Sequence, residues 1–283
     1  MEVGIMKASG LKKMKRPQIL TYAYFLIVVV LTYLPFYLML GISVKDVPQF
    51  LDNRFGITFP FHWENYYYAL LALWRPLVIS VIVAAATICL TLTVGSLSAY
   101  AFARFDFPGR KLLFYSIIML MMIPGLLTLV PRYVIVVRVG LVNSLGALIL
   151  PMVAGGQVVQ IFILRTFFRQ VPDELIDACK IDGASRFTIF SRIMLPLSVS
   201  ILATLGMMQL LGVWNDFLWP LIVINDAAKR PLALAIRYLS GSFRTEWGMI
   251  MAGYVLGSAP TLLLFAVATK PFIRGMTSGA IKV

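Results

Sequence analysis

The sequence predicts an all-α polytopic membrane protein with six transmembrane helices, and three observations predict it. Of 283 residues, 60% are hydrophobic and 13% charged, where a soluble domain carries about 25% charged residues; mean hydropathy is +0.88. The apolar residues gather between charges into windows of 20 to 28 residues, at 17–44, 76–103, 112–131, 139–164, 193–215 and 247–269. Each is long enough for the roughly 20 residues that cross a bilayer as a helix. Inside them the apolar residues run continuously, without the alternation that a membrane-barrel strand of about 10 residues would show.

The first window follows Lys7, Lys12, Lys13, Lys15 and Arg16, a basic flank like that of a signal peptide. A signal-peptide core runs only about 7–15 residues, whereas residues 20–40 are apolar throughout and hold Tyr22, Tyr24, Tyr33 and Tyr37. The sequence therefore predicts an uncleaved anchor after a short tail, residues 1–16, with one membrane domain over 17–283. The loop 45–75 that follows carries Pro48, Pro60 and the aromatic run Phe59, Phe61, Trp63, Tyr66, Tyr67 and Tyr68. Those rings read either as an interfacial belt or as a docking surface for an external protein, and His62 among them as a solvated loop residue. Pro35, Pro124, Pro151, Pro220 and Pro260 interrupt the windows, and each is expected to bend its helix by removing a backbone donor.

A net charge of +13 would point to nucleic acid in a soluble chain. Here it has another source. With six spans and the N-terminus inside, sixteen Lys and Arg fall on the inner side and nine on the outer, and cationic residues concentrate on the cytoplasmic side of membrane proteins. Both termini are thus expected in the cytoplasm, with the lipid bilayer as the surround and no nucleic acid as partner. Cys89 and Cys179 lie too far apart in this topology to pair, and no metal or redox spacing is present. The one His cannot join either Cys as a catalytic pair, and no G-x-x-x-x-G-K-[ST] loop exists to cradle phosphates. The chain is expected to be no enzyme and to hold no cofactor.

The inner loop 165–195 is too apolar for a connector. Pro172 and Asp173 open a short helix that Gly183 ends, because proline and acid favour a helix start and glycine a helix end. Ser185 caps a second helix running into the fifth span. Leu175, Ile176 and Cys179 form an apolar stripe on the first helix, and Phe187, Phe190 and Met194 one on the second, with Asp177, Lys180, Asp182, Arg186 and Arg192 beside them. Such faces must be buried against headgroups, the chain's own bundle or a partner protein.

The spacing Asp177-Ala178-Cys179, three residues, Gly183, nine residues, Ile193-x-Leu195-Pro196 resembles the E-A-A-x3-G-x9-I-x-L-P loop of permease subunits of binding-protein-dependent ABC importers. Asp replaces Glu at 177 and Cys the second Ala at 179. S-A-Y-A-F-A-R-F-D-F-P-G-R-K at 98–111, M-M-I-P-G at 121–125, G-L-V-N-S at 140–144, I-D-G-A-S at 181–185, W-N-D-F-L-W-P-L-I-V at 214–223 and R-G-M-T-S-G-A-I-K at 274–282 resemble the carbohydrate branch, in the type of the second permease of maltose and glycerol-phosphate systems. The resemblance implies the type I importer architecture and import of a sugar or oligosaccharide, or alternatively of a sugar phosphate or glycerol phosphate. It implies a second related permease as heterodimer partner, two cytoplasmic ATPase subunits that bind ATP and Mg, and an external substrate-binding protein. Leu175, Ile176, Asp177, Ala178, Cys179, Gly183 and Phe187 would then couple to an ATPase, Gly183 by allowing a left-handed turn.

Trp214, Asn215 and Asp216 complete the set. Asp216 lies 20 residues past Pro196, roughly 30 Å along a helix, near the outer interface. A charge there is expected to face the bundle or a wet cavity, either lining a pathway or gate or making an inter-helix hydrogen bond that holds the two permeases together. An ion-coupled secondary transporter is the rival class; it predicts several mid-membrane ionisable residues and an inverted repeat, and neither is visible in the sequence.

Overall fold

A computed structural model describes residues 16–242 and 246–278, and among these the chain forms helices and connecting turns with no strand. In order they are α1 (Arg16–Ser43), α2 (Val47–Asp52), α3 (Glu64–Arg104), α4 (Arg110–Met119), α5 (Leu129–Arg138), α6 (Leu145–Phe168), α7 (Asp173–Ile181), α8 (Arg186–Ile189), α9 (Leu195–Leu197), α10 (Val199–Trp214), α11 (Leu218–Val223), α12 (Leu232–Ser242) and α13 (Trp247–Ser278). Residues 1–15 of the expected tail, and 279–283 of the last motif, lie outside the described residues.

Every apolar window contains helix, but the windows are not six straight rods. α1, α3 and α6 are each long and apolar enough to cross a bilayer. The third window is a broken pair: Arg110–Met122 and Gly125–Arg138 meet at 102°. The break sits at Pro124, whose extended ψ of 130° stops the helix. The fifth window bends by 76° between Arg186–Leu197 and Val199–Trp214, after a π turn over Phe190–Met194. Pro35, Pro151 and Pro260 lie inside continuous helix, as does Pro76 in α3, so none of them ends its helix. Pro220 stands in the first turn of α11, where its missing donor is unneeded.

The bundle is organised around α3 and α6, which run parallel. Thr91 meets Gly156 and Gln157, Gly95 meets Gln160, and Phe102 meets Arg165, so the contacts advance in step. Small residues permit this approach: a Cβ on Gly156 would lie 2.9 Å from Thr91 Cγ2, and one on Gly95 2.9 Å from Gln160 Cβ. By the same register Leu145 stands opposite Ser80, so the first 16 residues of α3 extend about 24 Å past α6. The expected loop 45–75 is thus half helix, and Tyr66, Tyr67 and Tyr68 belong to α3.

α12 and the start of α13 cover this extension. The backbone N–H of Leu232 donates to Ser80 Oγ (2.7 Å), and Leu239 and Leu73 both abut Gly253. One apolar core fills this end, including Leu73, Val83, Trp219, Val223, Leu232, Ile236 and Met249. A second core, at the α7 end, joins Ala99, Tyr100, Leu164, Phe168, Ile176, Ile189 and Met194. α1 stands apart, packed on α13, with its apolar side chains from Leu20 to Phe36 exposed by 40% or more; such a surface requires lipid or a partner.

The segment before α3 is pinned at three points. Lys45, 1% exposed, donates from Nζ to the carbonyls of Asn53 (2.5 Å) and Gly56 (2.6 Å), and burial pulls its pKa below the usual lysine value. Asp46 caps α2 through Gln49. His62, expected in solvent, is a half-buried link: Nδ1 lies 2.7 Å from Glu64 and Nε2 3.5 Å from Asp46.

Candidate functional site

The short helix expected after Pro172 is α7, and its end follows from backbone geometry. Gly183 has φ +76°, and the N–H groups of Ala184 and Gly183 donate to the carbonyls of Cys179 and Lys180 (2.9 and 3.0 Å), a Schellman closure. A Cβ on Gly183 would meet nothing within 4 Å, so glycine is required there by backbone conformation and not by space. Ser185 then caps α8, accepting from the Thr188 N–H at 3.1 Å.

The apolar residues of this loop face two ways. Ile176 is 6% exposed and packs, with Cys179 beside it, on the core made by α3 and α6. The sequence places both with Leu175 on one apolar stripe whose burial against headgroups, the chain's own bundle or a partner it leaves open; the structure turns Ile176 and Cys179 onto the bundle, where Tyr100, Phe168 and Val171 offer apolar surface. What faces away is Leu175 (40% exposed), Ile181 (87%) and Phe187 (70%), with exposed Ala178 and Asp177 between them. Asp177 pairs with Lys180 at 2.8 Å on the surface.

Two side chains that the sequence reading did not assign hold the loop. Arg104, at the end of α3, binds the carboxylate of Asp173 and donates to the carbonyls of Val171 and Phe168, the last at 2.7 Å. Tyr100, one turn earlier, donates its hydroxyl to the Arg186 carbonyl (3.3 Å), and the Arg186 guanidinium lies over Phe105 at 4.8 Å. Both residues lie in the stretch 98–111, where Arg104 had been counted only as a cytoplasmic charge; its side chain is in fact 11% exposed.

At the opposite end, Trp214 is 7% exposed and donates from Nε1 to the Gly257 carbonyl at 3.4 Å. With Asn215 it lines a groove of about 650 Å³ between α1, α10, α12 and α13, shared with Phe36, Phe217, Arg237 and Tyr254. Asp216 is not on its wall. Its carboxylate accepts from the Trp219 N–H at 3.2 Å and so caps α11, while Trp219 donates Nε1 to the Ala147 carbonyl (2.8 Å) and carries Arg132 over its ring at 3.8 Å. Arg237 and Tyr254 gave no sequence signal as groove residues, because α12 and α13 meet only in the fold. Among the described residues no group of three His, Cys, Asp or Glu side chains is placed to hold a metal.

Comparison with known proteins agrees with this architecture. Residues 91–278 match the family described as "Binding-protein-dependent transport system inner membrane component". The chain is 32% identical over 265 residues to a probable ABC transporter permease protein, YurM, of Bacillus subtilis, covering 91% of this chain and 86% of that protein. It is 35% identical over 205 residues to the arabinooligosaccharides transport system permease protein AraQ of Halalkalibacterium halodurans, covering 72% of each. It is 36% identical over 187 residues to the sn-glycerol-3-phosphate transport system permease protein UgpE of Pectobacterium atrosepticum, covering 65% of this chain and 66% of that one. In fold it is similar to a chain of a bacterial ABC transporter that imports the acidic polysaccharide alginate, with TM-score 0.76 and 17% identity over 92% of this chain and 99% of that one. On the family match and the relatives above 30% identity, the chain belongs to the inner-membrane components of binding-protein-dependent transport systems, as a multi-pass permease subunit of an ABC transporter.

Proposed function

We propose that the chain imports a sugar or oligosaccharide, as one of two related permeases, driven by two cytoplasmic ATPase subunits that bind ATP and Mg and supplied by an external binding protein. The observation that carries this reading is the pairing of a rigid mount with an apolar outer face: α7 is fixed to the ends of α3 and α6 by Arg104, while Leu175, Ile181 and Phe187 stand exposed. A push on that face would pass directly into the two central helices. The residues proposed to couple are Leu175, Asp177, Ala178, Gly183 and Phe187 at the surface, with Ile176 and Cys179 seating the helix from beneath. Trp214 and Asn215 are proposed to border the pathway, and Asp216 to shape it by capping α11. The names of relatives that transport arabinooligosaccharides support a carbohydrate cargo.

Topology follows the charge asymmetry: α7 and both termini face the cytoplasm, with 1–16 a tail, 17–283 the permease domain and 165–195 its coupling loop. A cysteine at Ser185 should be labelled only from the cytoplasmic side and one at Asn53 only from outside; labelling of both from one side contradicts the topology. Co-purification of an ATPase, a second permease and an external binding protein tests the assembly. Uptake by the isolated chain under a proton or sodium gradient would instead establish a secondary transporter. A sugar phosphate or glycerol phosphate is the second reading of the cargo, favoured by Arg237 on the groove wall and by the relatives that transport sn-glycerol-3-phosphate. Competition of uptake by neutral oligosaccharides against glycerol phosphate separates the two.

A further inference from the structure

At the α7 end, α4 and α6 bring together a basic cluster that neither the cores nor the coupling loop uses. The Arg165 guanidinium carbon lies 3.7 Å from the centre of the Phe114 ring, and its Nε donates to the Phe102 carbonyl (3.3 Å). Its two terminal nitrogens have no partner among the described residues. Arg169 follows one turn later, just past the end of α6, and Arg110 precedes Phe114 by one turn on α4; the positive charge of both acts on Arg165. Lys111 is exposed beside them. The carboxylate in contact with the cluster is Asp106, 93% exposed, which binds Arg110 at 2.7 Å. Among the described residues the cations of this cluster thus outnumber the carboxylate paired with them, and like charges so gathered repel unless an anion enters.

The surface next to the cluster says which anion. Leu112 is 72% exposed, Tyr115 58% and Leu113 52% on α4, and Phe162 42% on α6. Cations thus cap an apolar wall at the end of the spans. That order, charge and then hydrocarbon, mirrors an amphiphile with an anionic head. Free phosphate would use only the arginines, whereas a phospholipid uses both surfaces. We infer that Arg110, Arg165 and Arg169, with Lys111, form a site for an anionic phospholipid headgroup, its chains lying along Leu112, Tyr115 and Phe162. Arginine suits this role because its planar donor pairs match phosphate oxygens, and juxtamembrane cations attract anionic lipid.

The test uses the assembled transporter in nanodiscs of phosphatidylcholine with a minority of phosphatidylglycerol, extracted gently and weighed by native mass spectrometry. The wild type should retain phosphatidylglycerol in preference to phosphatidylcholine, and excess inorganic phosphate should not displace it. The double variant Arg165→Gln/Arg169→Gln should retain about tenfold less or below, while the distant Arg138→Gln should behave as wild type. Lack of preference in the wild type, displacement by phosphate, or full retention by the double variant would overturn the site. So would a double variant that keeps its lipid but sheds an ATPase subunit, since the cluster would then be a protein contact. If the double variant does not assemble, the wild-type preference and the phosphate competition decide alone.

Discussion

The guanidinium of Arg104, in the last turn of α3, binds the carboxylate of Asp173, in the first turn of α7, and with the same group takes the carbonyls of Phe168, the last residue of α6, and Val171, in the turn that follows. One nearly buried cation thus ties three segments whose sequence positions span about seventy residues. The acid at the start of α7 and the free carbonyl at the end of α6 are both helix-end features that favour a cation.

Arg104→Ala should release α7 from the bundle, because it removes charged donors from two carbonyls, at about 2–3 kcal/mol of local docking. Membrane levels should stay near wild type, since insertion depends on the apolar spans. Hydrogen exchange over 169–185 should rise and substrate-stimulated ATP hydrolysis in the assembled transporter should fall. Asp173→Asn should do much less, since that carboxylate is 83% exposed and exposed pairs contribute about 0–1 kcal/mol. Equal effects of the two substitutions would show that the carbonyl contacts carry no weight.

Gly183→Val places a β-branched residue at φ +76°, a strain of about 1–3 kcal/mol. Open space around the position means that the strain is the whole effect. The expected result is normal insertion with loss of ATPase association or of stimulated hydrolysis. Ser191→Ala, which removes only a hydroxyl bonded to the Phe187 carbonyl, is the control. Full uptake by Gly183→Val would refute the coupling role of this turn.

The two faces of the loop can be separated. Phe187→Ser and Ile181→Ser change exposed side chains and should weaken ATPase binding, read by pull-down, with little change in thermal stability. Ile176→Ala removes a core side chain and should lower stability by about 2–4 kcal/mol before it alters binding. The reverse ranking would mean that α7 presents its other face to the ATPase.

Gly156→Leu should disrupt the seam between α3 and α6. Even a Cβ there would stand 2.7 Å from Gln209 Oε1 and 2.9 Å from Thr91 Cγ2, and overpacking of this kind costs about 1–3 kcal/mol. Gly155→Leu, one residue away with nothing within 4 Å of its Cβ position, should be tolerated. The comparison is read from the midpoint of thermal aggregation in detergent.

The sequence by itself determined what local chemistry determines. Long apolar runs can only be helices in a bilayer, because every backbone group must be bonded within the segment. Pro172, Asp173, Gly183 and Ser185 set both ends of α7 and the start of α8, since caps act within a few residues. Tertiary structure alone decided the rest. Pro124 breaks its span while Pro151 lies in continuous helix, since packing on neighbouring helices can offset the hydrogen bond a proline removes. The alternation of Leu175, Ile176 and Cys179 declared that a face is buried, but not against what; Tyr100 and Phe168 drew Ile176 and Cys179 inward and left Leu175 out. Asp216 read equally as a pathway group or a structural one until Trp219 came within its reach. Arg104 looked like one surface charge among twenty-five until folding brought Asp173 and two carbonyls to it. Such contacts join residues distant in the chain, and periodicity and capping, being local, carry no record of which distant groups will meet.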